Sequence, residues 1–303
     1  MPAGLENIVK YCKQSNINSI ELMSADLETY LGIPANPANA WREQMMAQMR
    51  QQPQAAPAGG PRPAGGPGGP GGPGGFGRMQ YTPEQQAQID KYNQDVVEFR
   101  KNIDMNKVAQ AKQFLADNGI DAHIVKFAPA RWSDDEIRYA FKVAKAMGAG
   151  AITEELSQEA AERLAPFADE AKFPIAFHNH MQYAQEGFSC DPMLALSPYV
   201  MLNFDIGHYQ GSTGKDPVAF IEKYHDRIFS IHLKDKTLPT TEPGNQNQVW
   251  GQGQTNLEGA LLLLKEKYPH IYADIELEYN IAPWSDQVKE CATCIKYARQ
   301  ILM

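Results

Sequence analysis

Five apolar segments in the second half of the chain each end in residues able to hold a metal ion or move a proton. They are followed or closed by Thr153-Glu154-Glu155, His178-Asn179-His180, Asp205-Ile206-Gly207-His208, His232-Leu233-Lys234-Asp235 and Glu276-Leu277-Glu278. A lone His or Glu in such a place is ordinary. Carboxylates and imidazoles brought together at one rim would repel or neutralise one another once removed from water, and a divalent cation resolves that conflict. Two Glu, one Asp and one His without Cys make a mostly hard oxygen site with one imidazole. That set suits Mn²⁺ or Mg²⁺, with Co²⁺, Zn²⁺ and Fe²⁺ chemically admissible; a closed structural zinc is not expected. An ion with open positions can polarise a carbonyl and its neighbouring hydroxyl.

The elements that must position these groups read as alternating strands and helices. Leu5, Ile8, Val9 and Cys12 repeat at helical spacing, and Ile17, Ile20 and Leu22 predict a strand ending at Glu21-Leu22-Met23. Further strands are predicted at 122–127, 150–153, 174–177, 200–204, 228–231 and 272–277. Helix starts are marked by Ser133-x-x-Glu136 as a capping box, by Asp216-Pro217, and by Ser285 ahead of the last amphipathic stretch. Strands alternating with helices imply right-handed crossovers and a parallel sheet. Seven strands in one series predict an α/β fold of TIM-type (β/α) barrel architecture, one strand short of eight, as a single domain over 1–303. Catalytic groups of such a barrel project from the C-terminal strand ends. No G-x-G-x-x-G follows a strand, which removes the main argument for a dinucleotide site.

Between 36 and 79 the pattern dissolves into Gln- and Met-rich sequence and then almost pure Gly, Pro and Ala, so roughly 50–80 is expected to be a disordered insertion. Trp41 with Met45, Met46 and Met49 suggests an amphipathic helix before it. Order is expected to return at Thr82-Pro83-Glu84, with one long helical stretch running to Asp117. With 28 Lys+Arg against 36 Asp+Glu the net charge is −8, which argues against nucleic acid as a partner. No apolar run reaches membrane-spanning length, and the start lacks the order of a signal peptide. The chain as written therefore suits the cytoplasm; an export segment lost upstream would suit the periplasm. Four Cys do not make a disulfide framework, and Cys291-x-x-Cys294 lies at helical spacing with apolar neighbours, which favours packing over redox or metal chemistry.

The order Thr153-Glu154, Asp205-x-x-His208, His232-Leu233-Lys234-Asp235, Trp250-Gly251-Gln252-Gly253 and Ile275-Glu276 resembles the xylose-isomerase-like sugar phosphate isomerase/epimerase family, which includes ketose 3-epimerases, inosose-processing enzymes and hydroxypyruvate isomerases. The resemblance covers about 107–303 and 5–23 and skips the Gly/Pro insertion. It implies a divalent metal held by Glu154, Asp205, His232 and Glu276, with Glu154 and Glu276 as the acid/base pair. It further implies substrate contacts from His208 and Lys234, with Glu278 as the alternative to Glu276; His178 is a further candidate substrate contact, and Trp250, in the long connection after 228–231, is placed either to stack on a sugar or to anchor its loop. His178 stands where several of these epimerases carry Glu. The family also begins with a strand before its first helix, whereas this chain opens on the helix. A start placed too late in the gene is the preferred explanation over an open seam, because an uncovered parallel edge is an aggregation liability.

The expected activity is metal-dependent isomerisation or epimerisation of a small sugar or sugar derivative through an enediolate. The alternative is a lyase or dehydratase using the same metal site on a keto-sugar or keto-glycoside. A non-catalytic sugar-binding or scaffold protein and an endonuclease rank lower; the latter needs more His ligands and a basic groove. The expected partner is a small carbohydrate, and a homo-oligomer is compatible with this reading.

Overall fold

A computed structural model describes residues 4–51 and 81–303. The expected disordered stretch therefore lies outside the described residues, apart from positions 50 and 51. The chain opens with α1 (Leu5–Ser15), β1 (Ser19–Met23), α2 (Ser24–Leu31), α3 (Pro37–Gln51), α4 (Pro83–Lys101) and α5 (Met105–Asp117). It continues with β2 (Asp121–Lys126), α6 (Asp134–Met147), β3 (Ala151–Glu155), α7 (Gln158–Ala171), β4 (Ile175–His178) and α8 (Asp191–Leu194). Next come β5 (Val200–Asp205), α9 (Ile206–Thr213), α10 (Pro217–Tyr224), β6 (Ile228–Leu233), β7 (Asp235–Lys236) and β8 (Asn247–Gln248). The last elements are α11 (Leu257–Lys267), β9 (Tyr272–Ile275) and α12 (Gln287–Leu302).

Two compact units divide these elements, one spanning Ile33–Asn102 and one combining Pro2–Gly32 with Ile103–Met303. In the first, Thr82 caps α4 by a reciprocal box with Gln85, and Trp41 of α3 tilts against Tyr81 with ring centroids 5.6 Å apart. The long helical stretch expected from Thr82 to Asp117 is in fact two helices. Asn102 ends α4, and the Asp104 side chain accepts from the Asn106 N–H to start α5, because a short Asx turn competes well with helical continuation.

The second unit holds the sheet. Seven parallel strands run in the order β1-β2-β3-β4-β5-β6-β9, a nearly closed barrel with β1 and β9 as its edges. The seven strands expected from the sequence are the seven of the sheet; the two-residue pair β7–β8 was not expected. Ser133 and Glu136 form the capping box of α6, and Asp216 caps α10. The last helix is capped by Asp286 rather than Ser285, whose hydroxyl instead donates to Glu290.

Side chains alternate across each strand. On one face, Val125, Ile152, Phe177, Leu202 and Phe204 are buried, and each removes apolar area worth about 1.5–3 kcal/mol from water. On the other, Ile124, Ala151 and Ala176 pack with Met201 and Phe229 to fill the barrel. A Cβ at Gly150 would come within 2.6 Å of the Phe229 ring, so a larger residue there would displace that ring. This plug closes one end of the barrel and leaves the polar residues of the C-terminal strand ends to line the other. Cys12 and Cys294 are buried, Cys291 half-buried, and all are free thiols, with burial pushing Cys294 up to about 12. Among the described residues no helix is long and apolar enough to cross a membrane.

Candidate active site and metal centre

Strand register decides which polar side chains meet. Residues paired across parallel strands share a face, and Asp205 of β5 is paired with His232 of β6. Glu155 is paired with His178, whereas Glu154 is paired with Phe177. His178, Asp205, His232 and Glu276 each offer one ligand atom, and these four atoms lie within 4.8 Å of one another. Three of them belong to the metal set expected from the sequence. The fourth, His178, was expected as a substrate contact.

Glu154 is not brought to this group. Its Oε2 accepts from the Ala130 N–H at 2.7 Å and its Oε1 from the Glu155 N–H at 2.8 Å, so it secures the turn after β2 on the face opposite the site. Glu155 is the β3 carboxylate on the same face as the site, forming a second group with the buried His178 and the exposed His180 within the same 4.8 Å limit. Two adjacent Glu in a strand point oppositely, and only register tells which one faces inward.

Around His232 a carboxylate occupies each ring nitrogen. Nδ1 is 2.7 Å from Glu276 Oε2 and Nε2 is 2.9 Å from Glu21 Oε2. Asn203 Nδ2 donates to the same Glu21 oxygen at 2.7 Å, and the Ser230 hydroxyl donates to Asn203 Oδ1 at 2.7 Å. Glu21, in the middle of β1, was not singled out from the sequence. The available signal was a Glu inside the otherwise apolar Ile20-Glu21-Leu22. Burial opposes a charged His232 ring, but Glu21 and Glu276 outweigh it and hold the imidazole well above its ordinary pKa.

Lys234 is 1% exposed and serves three carboxylates, with Nζ 3.0 Å from Asp205, 3.2 Å from Glu276 and 2.8 Å from Glu278. It also donates to His208 Nε2 at 2.9 Å. Burial, then the Lys234 charge, pushes His208 down to about 2, so this ring is a neutral acceptor at Nε2. Glu278 thus joins the site beside Glu276 rather than replacing it. Trp250 lies elsewhere: it is 7% exposed and packs edge-on against Tyr297 of α12, with centroids 6.0 Å apart. Its loop is held by Asp235, which accepts from the Gly251, Gly253 and Thr255 N–H groups at 2.8, 2.9 and 3.1 Å. That makes Trp250 a loop anchor in this structure.

A profile of the family described as xylose isomerase-like TIM barrel matches residues 86–297. The chain belongs to this family. A xylose isomerase domain protein from Alicyclobacillus acidocaldarius subsp. acidocaldarius superposes with a TM-score of 0.59 at 10% identity, covering 98% of this chain and 93% of that one. Another, from Planctomyces limnophilus, gives 0.51 at 17% identity over 67% and 84% of the two chains. These likenesses are of fold. Inosose dehydratase of Lacticaseibacillus casei is 38% identical over 77 residues, 24% of this chain and 26% of that protein. The match thus spans about a quarter of the length of that curated relative.

The divalent cation suggested by the family can be tested against the side chains. Asp205 Oδ2 and His178 Nδ1 are buried and make no hydrogen bond, although Lys234 Nζ faces the former at 3.0 Å. Unsatisfied buried polar atoms are few in proteins and call for a partner; here His178 Nδ1 is such an atom within the four-residue group. Burial, then the charge of His232, holds His178 well below its ordinary pKa, which keeps it in the unprotonated form that binds metals. Burial also pushes Asp205 up to about 6 against the pull of Lys234. Two imidazoles and two carboxylates suit Mn²⁺, Fe²⁺, Co²⁺ or Zn²⁺ better than Mg²⁺, which shifts the sequence-based preference toward the transition metals. The residues fit the ion once His232 gives up the proton that Glu21 and Glu276 hold on it.

Proposed function

We propose that the protein is a divalent-metal-dependent sugar isomerase or epimerase acting through an enediolate. The observation that carries this reading is the convergence of His178, Asp205, His232 and Glu276 at one end of the barrel. A cation held by these four would supply Lewis acidity toward a ketone oxygen and its neighbouring hydroxyl, acidifying the C–H between them.

The chain's own groups account for the rest. Lys234, kept charged by three carboxylates against the cost of burial, donates toward an oxygen on which negative charge develops. His208, neutral and bonded at Nε2, offers Nδ1–H to a substrate oxygen; that nitrogen is buried without a partner. Glu155 and Glu276 take the acid/base role expected of Glu154 and Glu276. Glu155 lies beside His180, with Oε2 3.6 Å from the ring Nε2, and a carboxylate on the face of the site is what proton abstraction requires. Returning the proton to the neighbouring carbon gives isomerisation, and returning it to the other face gives epimerisation.

The likeness to inosose dehydratase over 77 residues supports a second reading, in which the same enediolate expels a β-hydroxyl as water. Incubation with Mn²⁺ in D₂O separates the outcomes. Ketoses exchanging deuterium at the carbon next to the carbonyl support isomerase or epimerase chemistry, and an inosose losing water supports the dehydratase. No exchange and no elimination across a panel of ketoses, inososes and keto-glycosides would sink both.

A further inference from the structure

Lys236, at the end of β7, is 4% exposed. Lysines are almost never so buried without a partner, and Lys234 two residues earlier has three carboxylates around its ammonium. The Lys236 ammonium has no hydrogen bond or ion pair with any described residue; only its backbone N–H is bonded, to the Thr255 hydroxyl.

Two more unsatisfied groups accompany it. Asn247 stands opposite Lys236 in the β7–β8 ladder, which places both side chains on one face of that ribbon. Asn247 Nδ2 reaches Glu278 Oε2 at 3.4 Å, leaving its Oδ1 buried and without a partner. Asn245 Oδ1 is also buried and unpartnered. A Cβ at Gly211 would come within 2.7 Å of Asn245 Oδ1 and 3.1 Å of Lys236 Cε, so glycine at 211 keeps the space between them clear. Glu278 connects this place to the metal-binding group through Lys234, 2.8 Å from the one and 3.0 Å from Asp205.

The balance of donors and acceptors selects the ligand. This place holds one ammonium, two amide oxygens without a partner and the Glu278 carboxylate. A phosphate or carboxylate only accepts, so it would gain one partner in Lys236 and face three groups with nothing to give them. A hydroxyl donates and accepts, and so satisfies both kinds of group. Resting on the sugar chemistry proposed above, we infer that Lys236, Asn245 and Asn247 form a polar subsite for the hydroxyls remote from the reacting carbons, so that the substrate is an uncharged, unphosphorylated sugar.

Calorimetric titration of the Mn²⁺-supplied protein with neutral ketoses and inososes, and with D-fructose 6-phosphate beside D-fructose, tests this. At least one neutral sugar is expected to bind, and the 6-phosphate to bind more weakly than fructose. Lys236→Met and Asn247→Ala are each expected to weaken neutral-sugar binding about tenfold, the worth of one buried hydrogen bond to a charged or neutral group. Mn²⁺ affinity and near-UV circular dichroism are expected to stay unchanged, which separates lost recognition from lost folding. Tighter binding of the phosphate that depends on Lys236 would overturn the inference in favour of an anion site. Unchanged sugar affinity in both variants, or no sugar binding by the unaltered protein, would overturn it outright. Because no proton transfer enters a binding isotherm, absence of deuterium exchange would sink the enediolate reading and leave this result standing.

Discussion

The His232 imidazole lies between the carboxylates of Glu276 and Glu21, 2.7 Å from one and 2.9 Å from the other. The first belongs to the candidate metal group and the second comes from β1 across the barrel. A ligating histidine is oriented by the acceptor on its other nitrogen, and Glu21 is placed for that role. Glu21→Gln is expected to lower Mn²⁺ affinity by about 10–100-fold with little change in secondary structure. Titration calorimetry reads this directly, and an unchanged affinity would remove Glu21 from the account.

Burial pushes Asp205 up to about 6, and a protonated carboxyl is a poor ligand. Cation affinity is therefore expected to fall as pH drops through that value, by about tenfold per unit for each competing proton, and to keep rising above it while His232, held well above its ordinary pKa, still has a proton to give up. In the metal-free protein the sign reverses. A raised carboxyl pKa contributes stability that is full below the unfolded aspartate value and lost as pH rises through about 6. Mn²⁺ titrations at pH 5, 6, 7 and 8 check the first statement; equal affinities at pH 5 and 7 would contradict it.

Glu154 and Glu155 separate by one residue of strand parity. Glu155→Gln is expected to slow deuterium exchange by at least about a hundredfold, the usual worth of a positioned acid/base group. Glu154→Gln is expected to act on stability instead, by about 1–3 kcal/mol, because an amide nitrogen would face one of the two backbone N–H groups its carboxylate now receives. Urea unfolding and the exchange assay together distinguish the two. The reverse pattern would mean that β3 presents the other face.

Gly207 opens the first turn of α9 against the chain at Lys234. A Cβ there would collide with the Lys234 carbonyl oxygen and approach the Lys234 Cβ to 2.8 Å. Gly207→Ala is expected to cost about 1–3 kcal/mol through forced displacement and to weaken the contacts of Lys234 with Asp205 and Glu278. Denaturant unfolding measures the first effect; stability equal to that of the unaltered protein would show that the helix can shift freely.

Much of this arrangement was legible before any coordinates. Short apolar runs and capping residues located all seven parallel strands, and Asp205, His232 and Glu276 could be selected because each closes such a run. Three features were not legible, each for a physical reason. The inward choice between Glu154 and Glu155 depends on pairing to His178, which sequence spacing does not determine. Glu21 acts across the barrel on His232, 211 residues later in the chain, and nothing local marks that distance as short. Trp250 stood open between sugar stacking and loop anchoring because its place in a long connection does not show that Asp235 ties the loop down or that the ring meets Tyr297.

The central claim is that His178, Asp205, His232 and Glu276 jointly hold one divalent ion. Its most direct measurement is metal stoichiometry and affinity for the unaltered protein beside Asp205→Ala and His178→Ala, with folding checked by circular dichroism. The account predicts one ion per chain and a loss of at least about tenfold in affinity for each variant, the lower bound for disturbing a metal site. No bound ion, or an affinity that both folded variants retain, would contradict it.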